Sequence, residues 1–236
     1  MQQKEESNMN RRISVAIDGP AGAGKSSISK VVAKKLGYLY IDTGAMYRGI
    51  TWALLNAGIS IDDVDAVEAA LSKIQLELRV EETGLSVWVN GTDVSQDIRT
   101  QYVTSHVSQV AAQKAVRTKL VEMQRHMASA SGVILDGRDI GSVVLPNAEL
   151  KVYLTASVET RGHRRWLELK DSENISLEEV CRTVAERDAM DMNRKESPLV
   201  CVDDAVVVET DHLSIEETVQ TLVDLIRKAE LGGHHG

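Results

Sequence analysis

The sequence contains no phenylalanine, and aromatic residues of all kinds make up only 3% of it. A buried core must therefore be built from aliphatic side chains and methionine. Apolar residues reach 43%, which is enough for such a core. The chain has 236 residues, so it can hold one large domain or a core with an insertion.

Cysteine is also scarce, and long apolar runs are missing. The two cysteines, Cys181 and Cys201, form no Cys-x-x-Cys pair and have no histidines at metal-ligand spacing. They are typical of reduced thiols in a cytosolic protein rather than of a disulfide or a metal site. There is no run of 18 apolar residues and no apolar signal core near the N-terminus. We therefore expect a cytoplasmic protein that neither spans a membrane nor is secreted.

The chain has no excess of positive charge, since its formal net charge is −8. A general nucleic-acid binder, or a protein that docks on an acidic membrane, would need a basic face. We therefore predict no nucleic-acid partner and no membrane partner. A small anionic ligand stays possible, because a local cluster of arginines can outweigh the overall charge.

The most specific motif of the chain lies near its beginning. The run Gly19-Pro20-Ala21-Gly22-Ala23-Gly24-Lys25-Ser26 fits the phosphate-loop pattern of Gly, four residues and then Gly-Lys-Ser/Thr. A strand-like run, Ile13–Ile17, precedes it, and apolar residues at helical spacing follow it. Converging backbone N–H groups and a helix N-terminus are what a phosphate requires.

This loop predicts a nucleoside triphosphate site but not the reaction. Lys25 is expected to reach the β- and γ-phosphates, and the Ser26 hydroxyl is expected to bind Mg²⁺. A glycine-rich turn that binds nothing is the alternative. The residues predicted to hold the triphosphate are Gly19, Pro20, Ala21, Gly22, Ala23, Gly24, Lys25, Ser26 and Ser27.

Strand-like and helical patterns alternate along most of the chain, which predicts a parallel sheet covered on both faces. The predicted strands are 13–17, 38–41, 133–135, 150–154 and 205–208, and the predicted helices are 25–36, 44–57, 101–130, 157–170, 176–192 and 214–229. Residues 75–94 differ, because they alternate strictly and contain the tight-turn pair Asn90-Gly91. They predict an antiparallel meander, inserted together with a short preceding helix.

Three polar segments follow predicted strands, at the edge where parallel sheets bind ligands. Asp42–Arg48 offers a hydroxyl, a phenol and a guanidinium for a second substrate, although Asp42 or Thr43 could simply cap the next helix. Asp136–Asp139 resembles an aspartate that supports Mg²⁺, or else forms a solvated turn. Arg161, Arg164 and Arg165 share a helix face, which predicts either a lid over the triphosphate or a solvated surface.

The helix that begins near Ser176 has an apolar stripe that changes into Arg187, Asp191 and Arg194. Guanidinium forks suit phosphate and a carboxylate suits a sugar hydroxyl, whereas a surface salt-bridge array is the alternative. An alcohol acceptor would need a carboxylate base, but a phosphate acceptor is already anionic and needs cations instead. The arginines available for that purpose are Arg48, Arg117, Arg138, Arg161, Arg164, Arg187 and Arg194.

From about residue 12 to 230, the chain closely resembles the bacterial cytidylate kinase family. The resemblance is carried by IDGPAGAGKSS, IDTGAMYR, DVSQDIRT, VSQVAAQKAVR, DGRDIGSVV, RGHRRWLEL and ERDAMDMNR. It implies a Mg²⁺-dependent transfer of a phosphoryl group from ATP to CMP or dCMP. Ser26 replaces a glycine that some relatives have, which completes the standard ending of a phosphate loop.

The resemblance also implies roles for individual residues. Those that correspond to the cytosine site are Ser108, Arg117 and Asp139, and those of the ribose region are Arg187 and Asp191. Around the acceptor phosphate we place Thr43, Tyr47, Arg48, Arg138 and Arg194; Thr43 stands where some relatives have serine. We assign stabilisation of the transition state to Lys25, Arg138, Arg161, Arg164 and Arg194, and Mg²⁺ binding to Ser26 and Asp136.

The predicted fold is a three-layer α/β/α phosphate-loop kinase with a five-stranded parallel sheet, an inserted α+β lobe containing a small antiparallel sheet, and a short helical lid. We expect one domain over residues 12–230, with its core at 12–42, 104–156 and 190–230, the NMP-binding region at 43–103 and the lid at 157–189. Residues 1–11 and 231–236 are predicted to be disordered tails. We also expect a monomer, because small kinases need lobes that are free to close.

Two other functions stay open on the sequence alone. One is another small phosphate-loop kinase, acting on UMP or on the alcohol group of a metabolite. The other is a nucleotide-binding switch that hydrolyses its nucleotide slowly. The acceptor-site arginines and the missing Asn-Lys-x-Asp motif disfavour the switch.

Overall fold

The computed structural model describes residues 12–81, 84–171 and 174–232. Predictions for the tail 1–11, the turn at 82–83 and residues 233–236 therefore fall outside the described residues. The chain divides into two compact units. The first comprises Met1–Ile41, Met127–Asn193 and Pro198–Gly236, and the second comprises Asp42–His126 and Arg194–Ser197.

Helices and strands alternate in the first unit, as the sequence predicts, while the second unit mixes helices with a small sheet. In chain order, the regular elements are β1 (Ser14–Asp18), α1 (Lys25–Leu36), β2 (Leu39–Asp42), α2 (Thr43–Asn56), α3 (Val64–Leu71), β3 (Leu76–Glu81), β4 (Gly84–Val89), β5 (Thr92–Asp93), α4 (Gln101–Ala111), α5 (Lys114–Met127), β6 (Val133–Gly137), β7 (Leu150–Thr155), α6 (Val158–Leu169), α7 (Leu177–Asn193), β8 (Val206–Glu209) and α8 (Ile215–Gly232).

The main sheet has five strands in the order β2-β6-β1-β7-β8, which confirms the predicted five-stranded parallel sheet. The register pairs Asp18, the last residue of β1, with Gly137 of β6 on one side and with Tyr153 of β7 on the other. The carboxyl ends of three neighbouring strands therefore meet at one edge.

The core of the first unit is aliphatic, as the lack of phenylalanine requires. Strand β1 contributes Val15 and Ile17, and Ile13 just before it packs with them, all at most 1% exposed; α8 packs Leu222 and Ile226 into the same cluster. β-branched side chains dominate because they pack well on a pleated sheet that is covered on both faces.

The second unit contains the predicted antiparallel meander, with strand order β3-β4-β5. Asn90 and Gly91 join β4 to β5 with φ values of 49° and 80°, the left-handed pair that a tight hairpin turn requires. Helix α2 lies close against this sheet at Gly49, where an added Cβ would come within 2.8 Å of Leu76 Cδ1. The predicted α+β insertion is therefore confirmed.

The prediction of a single helix over residues 101–130 is wrong, because the structure has two helices there, α4 and α5. The chain breaks at Ala112, whose N–H donates to the carbonyl oxygens of Ser108 and Gln109, and the Gln113 amide donates to the Ile61 carbonyl at 2.7 Å. Residues 104–126 lie in the second unit, where α4 packs against α2.

Two helices, α6 and α7, occupy the predicted lid segment and pack tightly together. A Cβ added to Gly162 would lie 2.2 Å from Cys181 Sγ, so the approach of these helices requires glycine. Helix α8 continues to Gly232, two residues beyond the predicted domain end. None of the helices in the described part of the chain combines the length and apolar character needed to cross a membrane.

Candidate active site

The phosphate loop connects β1 to α1 at the sheet edge where the strand ends meet. Gly19 has a φ of 148°, and a Cβ there would lie 2.0 Å from the Leu154 carbonyl oxygen. Gly24 precedes α1 in the left-handed region, and it supplies no side chain to cap the helix. The N–H groups in the first turn of α1 therefore receive no side-chain cap from Gly24. This arrangement favours binding of an anion at the start of the helix.

Lys25 is buried beside the loop, and its Nζ donates to the carbonyl oxygens of Gly19 and Pro20, both at 2.7 Å. Burial, and then the positive charge of Arg138, lower the pKa of Lys25 well below its ordinary range. Arg187 adds to the same effect, while Asp136 and Asp18 oppose it. The cation therefore lies among other cations, in a region that anionic phosphates would stabilise.

Ser26 and Asp136 come together as the sequence predicts. The Ser26 hydroxyl donates to Asp136 Oδ2 at 2.7 Å, and the Tyr40 hydroxyl donates to Asp136 Oδ1 at 2.9 Å. Hydroxyl and carboxylate oxygens are ligands that Mg²⁺ prefers. Among the described residues, no group of three or more His, Cys, Asp or Glu side chains is arranged so that it could hold a metal ion by itself. The pair therefore fits an ion that takes its other ligands from phosphates and water.

Asp18, immediately before the loop, is a buried residue to which the sequence motifs assign no role. Its carboxylate accepts the N–H groups of Ile140 and Gly141 at 2.8 and 2.7 Å. Burial raises its pKa to about 6, although these two hydrogen bonds oppose the shift. An acid that ends a strand just before a phosphate loop was the available signal. Its partners, more than 120 residues away, could not be identified.

Asp139 follows β6 and is buried beside this contact. Its carbonyl oxygen accepts the N–H groups of Val143 and Val144, at 2.9 and 3.1 Å, within a short π-helical turn at Ile140–Val144. Its negative charge is one reason why the pKa of Asp18 is raised. Two hydrogen bonds therefore fix the backbone at this predicted base-recognition residue.

Arg187 and Asp191 of the predicted arginine-aspartate face lie on α7, whereas Arg194 follows the end of this helix, and Asp191 already holds a partner. Asp191 accepts from Arg138 Nε at 2.9 Å, and the two side chains are 5% and 19% exposed. The pairing resembles the salt-bridge alternative, except that it is largely buried rather than solvated. Arg187 lies one turn earlier, where its charge acts on Lys25.

The three arginines expected on one face of α6 lie in three different environments. Arg161 is buried and donates to Asp188, Ala21 and Ala156. Arg164 donates to the hydroxyl and the carbonyl of Thr210, at 3.1 and 2.7 Å. Arg165 forms an exposed pair with Glu168. In this structure, two of the three therefore fasten the helix to neighbouring loops.

In the second unit, Asp42 caps α2, as one of the alternatives expected. One of its oxygens accepts from Ala45 N at 2.7 Å, and the other accepts from Arg48 Nη2 at 3.2 Å. Capping thus fixes the carboxylate that in turn orients Arg48. The buried Nε of Arg48 has no hydrogen-bond partner among the described residues.

Four further predicted residues of the second unit are polar and mostly buried. Thr43, Tyr47, Ser108 and Arg117 are each at most 8% exposed. The Arg117 guanidinium lies over the Tyr47 ring at 5.5 Å and donates to the Ala111 carbonyl at 3.2 Å. The structure therefore brings Tyr47 and Arg117 together, although they are 70 positions apart in the sequence.

Each unit holds its own share of the predicted site. The first unit holds residues Gly19 to Ser27, Asp136, Arg138, Asp139, Arg161, Arg164, Arg187 and Asp191. The second holds Thr43, Tyr47, Arg48, Ser108, Arg117 and Arg194. Arg194 comes just after α7, and its Nε donates to the Ser197 carbonyl at 2.8 Å.

Proteins of known sequence resemble this chain over nearly its whole length. The profile of the family described as "Cytidylate kinase" matches residues 15–228. The "Cytidylate kinase" of Ligilactobacillus salivarius is 48% identical over 93% of this chain and 99% of its own length. That of Bacillus cytotoxicus is 46% identical over 94% of this chain and 99% of its own length.

A solved structure supports the fold alone. An uncharacterized protein from Eubacterium ventriosum matches with a TM-score of 0.51 and 10% identity, over 91% of this chain and 98% of that one. The family profile and the sequence relatives show more than the fold, because each match covers more than nine tenths of the chain. The chain therefore belongs to the cytidylate kinase family.

Proposed function

We propose that the protein transfers the γ-phosphoryl group of ATP to CMP or dCMP, giving ADP and CDP or dCDP. The observation that carries the proposal is the phosphate loop with its buried Lys25, in a chain that belongs to this family. Its relatives are cytidylate kinases by name, which supports a cytidine nucleotide as the acceptor.

The first unit would hold the donor. N–H groups of the phosphate loop and of the first turn of α1 would bind the phosphates, with Lys25 at the β- and γ-phosphates. Ser26 and Asp136 would hold Mg²⁺, because their oxygens are already 2.7 Å apart. Bound there, the ion would neutralise charge that develops on the β- and γ-phosphate oxygens.

The carboxylates near the loop support a phosphate acceptor over an alcohol acceptor. Asp18 accepts two backbone N–H groups, and Asp136 accepts two hydroxyls. Asp188 and Asp191 each bind an arginine. A general base needs a carboxylate free to accept a proton from the substrate, and all four already have partners. A phosphate oxygen needs no base, since it is already anionic.

The contacts of the acceptor nucleotide are those that the resemblance to the family implies for individual residues. Ser108, Arg117 and Asp139 would recognise cytosine. Arg187 and Asp191 would contact the ribose. The acceptor phosphate would be bound by Thr43, Tyr47, Arg48, Arg138 and Arg194. Guanidinium groups suit this task, because they bind phosphate in fixed, paired geometry and offset repulsion between two polyanions.

A steady-state assay with ATP, Mg²⁺ and each of CMP, dCMP, UMP, AMP and GMP tests the acceptor. We expect the highest kcat/KM with CMP and dCMP. Preference for AMP or GMP would overturn the assignment, and ATP turnover that is independent of any acceptor would indicate a nucleotide switch instead.

The role of Arg187 has its own test. Arg187→Ala is expected to raise the KM for CMP about tenfold while the KM for ATP changes less, since one charge-assisted contact is lost. Arg182→Ala, on the exposed side of the same helix, is the matched control. An equal loss for both nucleotides would contradict the assignment to the acceptor.

We further propose a cytoplasmic monomer without nucleic-acid or membrane partners, in which α6 and α7 act as a lid. The net charge of −8 supports the lack of polyanionic partners. Sedimentation of the full chain, with and without nucleotides, tests the monomer: a stable dimer under both conditions would overturn it.

A further inference from the structure

We propose that Asp188, together with Arg161, is a positioning residue that fixes the phosphate loop through Ala21. We call these three residues the Ala21 clamp. The inference rests on the proposed function, because it assigns the clamp to the ATP half of that reaction. Asp188 was not singled out in the sequence, and Arg161 was expected to contact phosphates directly.

The clamp holds both polar groups of one loop residue. Asp188 Oδ1 accepts the Ala21 N–H at 3.1 Å, and Arg161 Nη1 donates to the Ala21 carbonyl at 2.8 Å. Asp188 Oδ2 closes the triangle by accepting from Arg161 Nη1 at 2.6 Å. A backbone held at both its donor and its acceptor cannot rotate without breaking charge-assisted hydrogen bonds.

Burial makes these contacts strong. Arg161 is 4% exposed and Asp188 is 6% exposed, so neither is screened by solvent. Arg161 Nε also donates to the Ala156 carbonyl at 2.8 Å, which orients the guanidinium. Next to Ala21, Gly22 has a φ of 75°, and a Cβ there would lie 3.2 Å from Arg161 Cβ. The arginine stem therefore packs directly on the loop.

The charges explain why a pair is needed rather than one residue. A buried carboxylate beside a loop that binds triphosphate would repel the ligand. Arg161 compensates that charge, so Asp188 can accept the Ala21 N–H without penalising the phosphates. Without Asp188, the guanidinium would lose the partner that keeps it turned towards Ala21.

The three members come from three elements, the β1–α1 loop, α6 and α7. The residue before Asp188, Arg187, lowers the pKa of Lys25 by its charge. Helix α7 thus acts on the loop twice within two residues. One interaction holds its backbone, and the other adds a positive charge near its lysine, where burial and Arg138 lower the pKa more strongly.

Binding of a non-hydrolysable ATP analogue with Mg²⁺, measured by calorimetry on the full chain, tests the clamp. Asp188→Ala is expected to weaken binding about tenfold, the effect of one lost charge-assisted contact. Asp188→Asn should lose less, because its amide oxygen can still accept the Ala21 N–H. CMP affinity should stay within about twofold in both variants.

Glu186→Gln is the matched control, since Glu186 lies on the same helix and its side chain is 64% exposed. Wild-type affinity is expected for this variant. Unchanged binding in Asp188→Ala would overturn the proposal. Equal losses for the analogue and for CMP would also overturn it, because they would indicate a general structural role.

A second variant covers the case in which Asp188→Ala does not fold. Combining Arg161→Met with Asp188→Val changes the buried volume little and removes both charges, a change that folded proteins often tolerate. It should fold and still bind the analogue about tenfold more weakly. Wild-type affinity in this double variant would refute the clamp. None of these binding measurements uses CMP turnover, so a failure of the proposed reaction would be seen separately in the wild-type assay.

Discussion

Helix α7 takes part in buried ion pairs on its inner face and in an exposed pair on its outer face, and the inner Asp188–Arg161 pair differs from the outer one in distance and in exposure. Inside, Asp188 binds Arg161 at 2.6 Å, with side chains 9% and 5% exposed. Outside, Arg182 and Glu186 are 3.9 Å apart and about two thirds exposed. The inner pair fixes a loop, whereas the outer pair is screened by water. Sequence spacing alone does not distinguish them.

The largest effect is expected for Lys25, because it is the buried cation on which Arg187 of α7 acts by its charge. Lys25→Met should lower kcat about 10²–10³-fold, the usual effect of removing one charge-stabilising group from a phosphate site. Lys34→Met, on the exposed part of α1, is the control. A steady-state kcat for Lys25→Met within tenfold of wild type would contradict this expectation.

The Asp191–Arg138 ion pair allows a test of whether the buried ion pairs of α7 also stabilise the fold. Asp191→Ala leaves Arg138 largely buried without its carboxylate, which should lower the free energy of unfolding by about 3 kcal/mol. Urea denaturation measures the difference. Glu186→Ala should cost far less. A loss below about 1 kcal/mol for Asp191→Ala would show that burial at this pair matters little.

Asp18 is expected to make the stability of the fold depend on pH. Its pKa is raised from 3.8 to about 6, so between these values the folded protein holds a proton that the unfolded chain has released. Stability from this group is therefore full below about pH 4 and is lost as pH rises through 6. Asp18→Asn should remove a fall of up to about 3 kcal/mol across this window. Parallel pH profiles of wild type and variant would refute this.

Arg182 should give the smallest effect. Arg182→Met removes the outer pair, and the free energy of unfolding should change by less than about 0.5 kcal/mol. The KM values for ATP and CMP should stay at wild-type levels. A loss above about 1 kcal/mol in urea denaturation would mean that the contrast between the two faces of α7 is wrong.

The features that the sequence predicts correctly depend mostly on residues that are close together in the chain. The five strands, the Asn90-Gly91 turn and the order strand, loop, helix around Lys25 follow from local patterns. The break at Ala112 is not visible in the sequence, because apolar residues recur at helical spacing on both sides of it, as Val103 and Val107 do before it and Val116 and Leu120 after it. Its cause includes a contact to Ile61, some 50 residues earlier.

Residue types were easier to predict than partners. The Mg²⁺ site of phosphate-loop proteins predicts that Ser26 and Asp136 lie together, and the structure brings the two together. Arg161 was expected to face phosphate, because nothing in its own helix reveals Asp188, 27 positions later. Asp18 was missed for the same reason. Residues that position a site depend on distant contacts, whereas residues that bind phosphate follow a short motif.

The Ala21 clamp has a consequence for how the protein can change over evolutionary time. Losing one member of a buried ion pair costs about 3–5 kcal/mol, a large part of the stability of a typical domain. Positions 161 and 188 should therefore be inherited together, or be replaced together by residues of matching volume. A lineage that altered only one of them would weaken both its fold and its hold on the nucleotide.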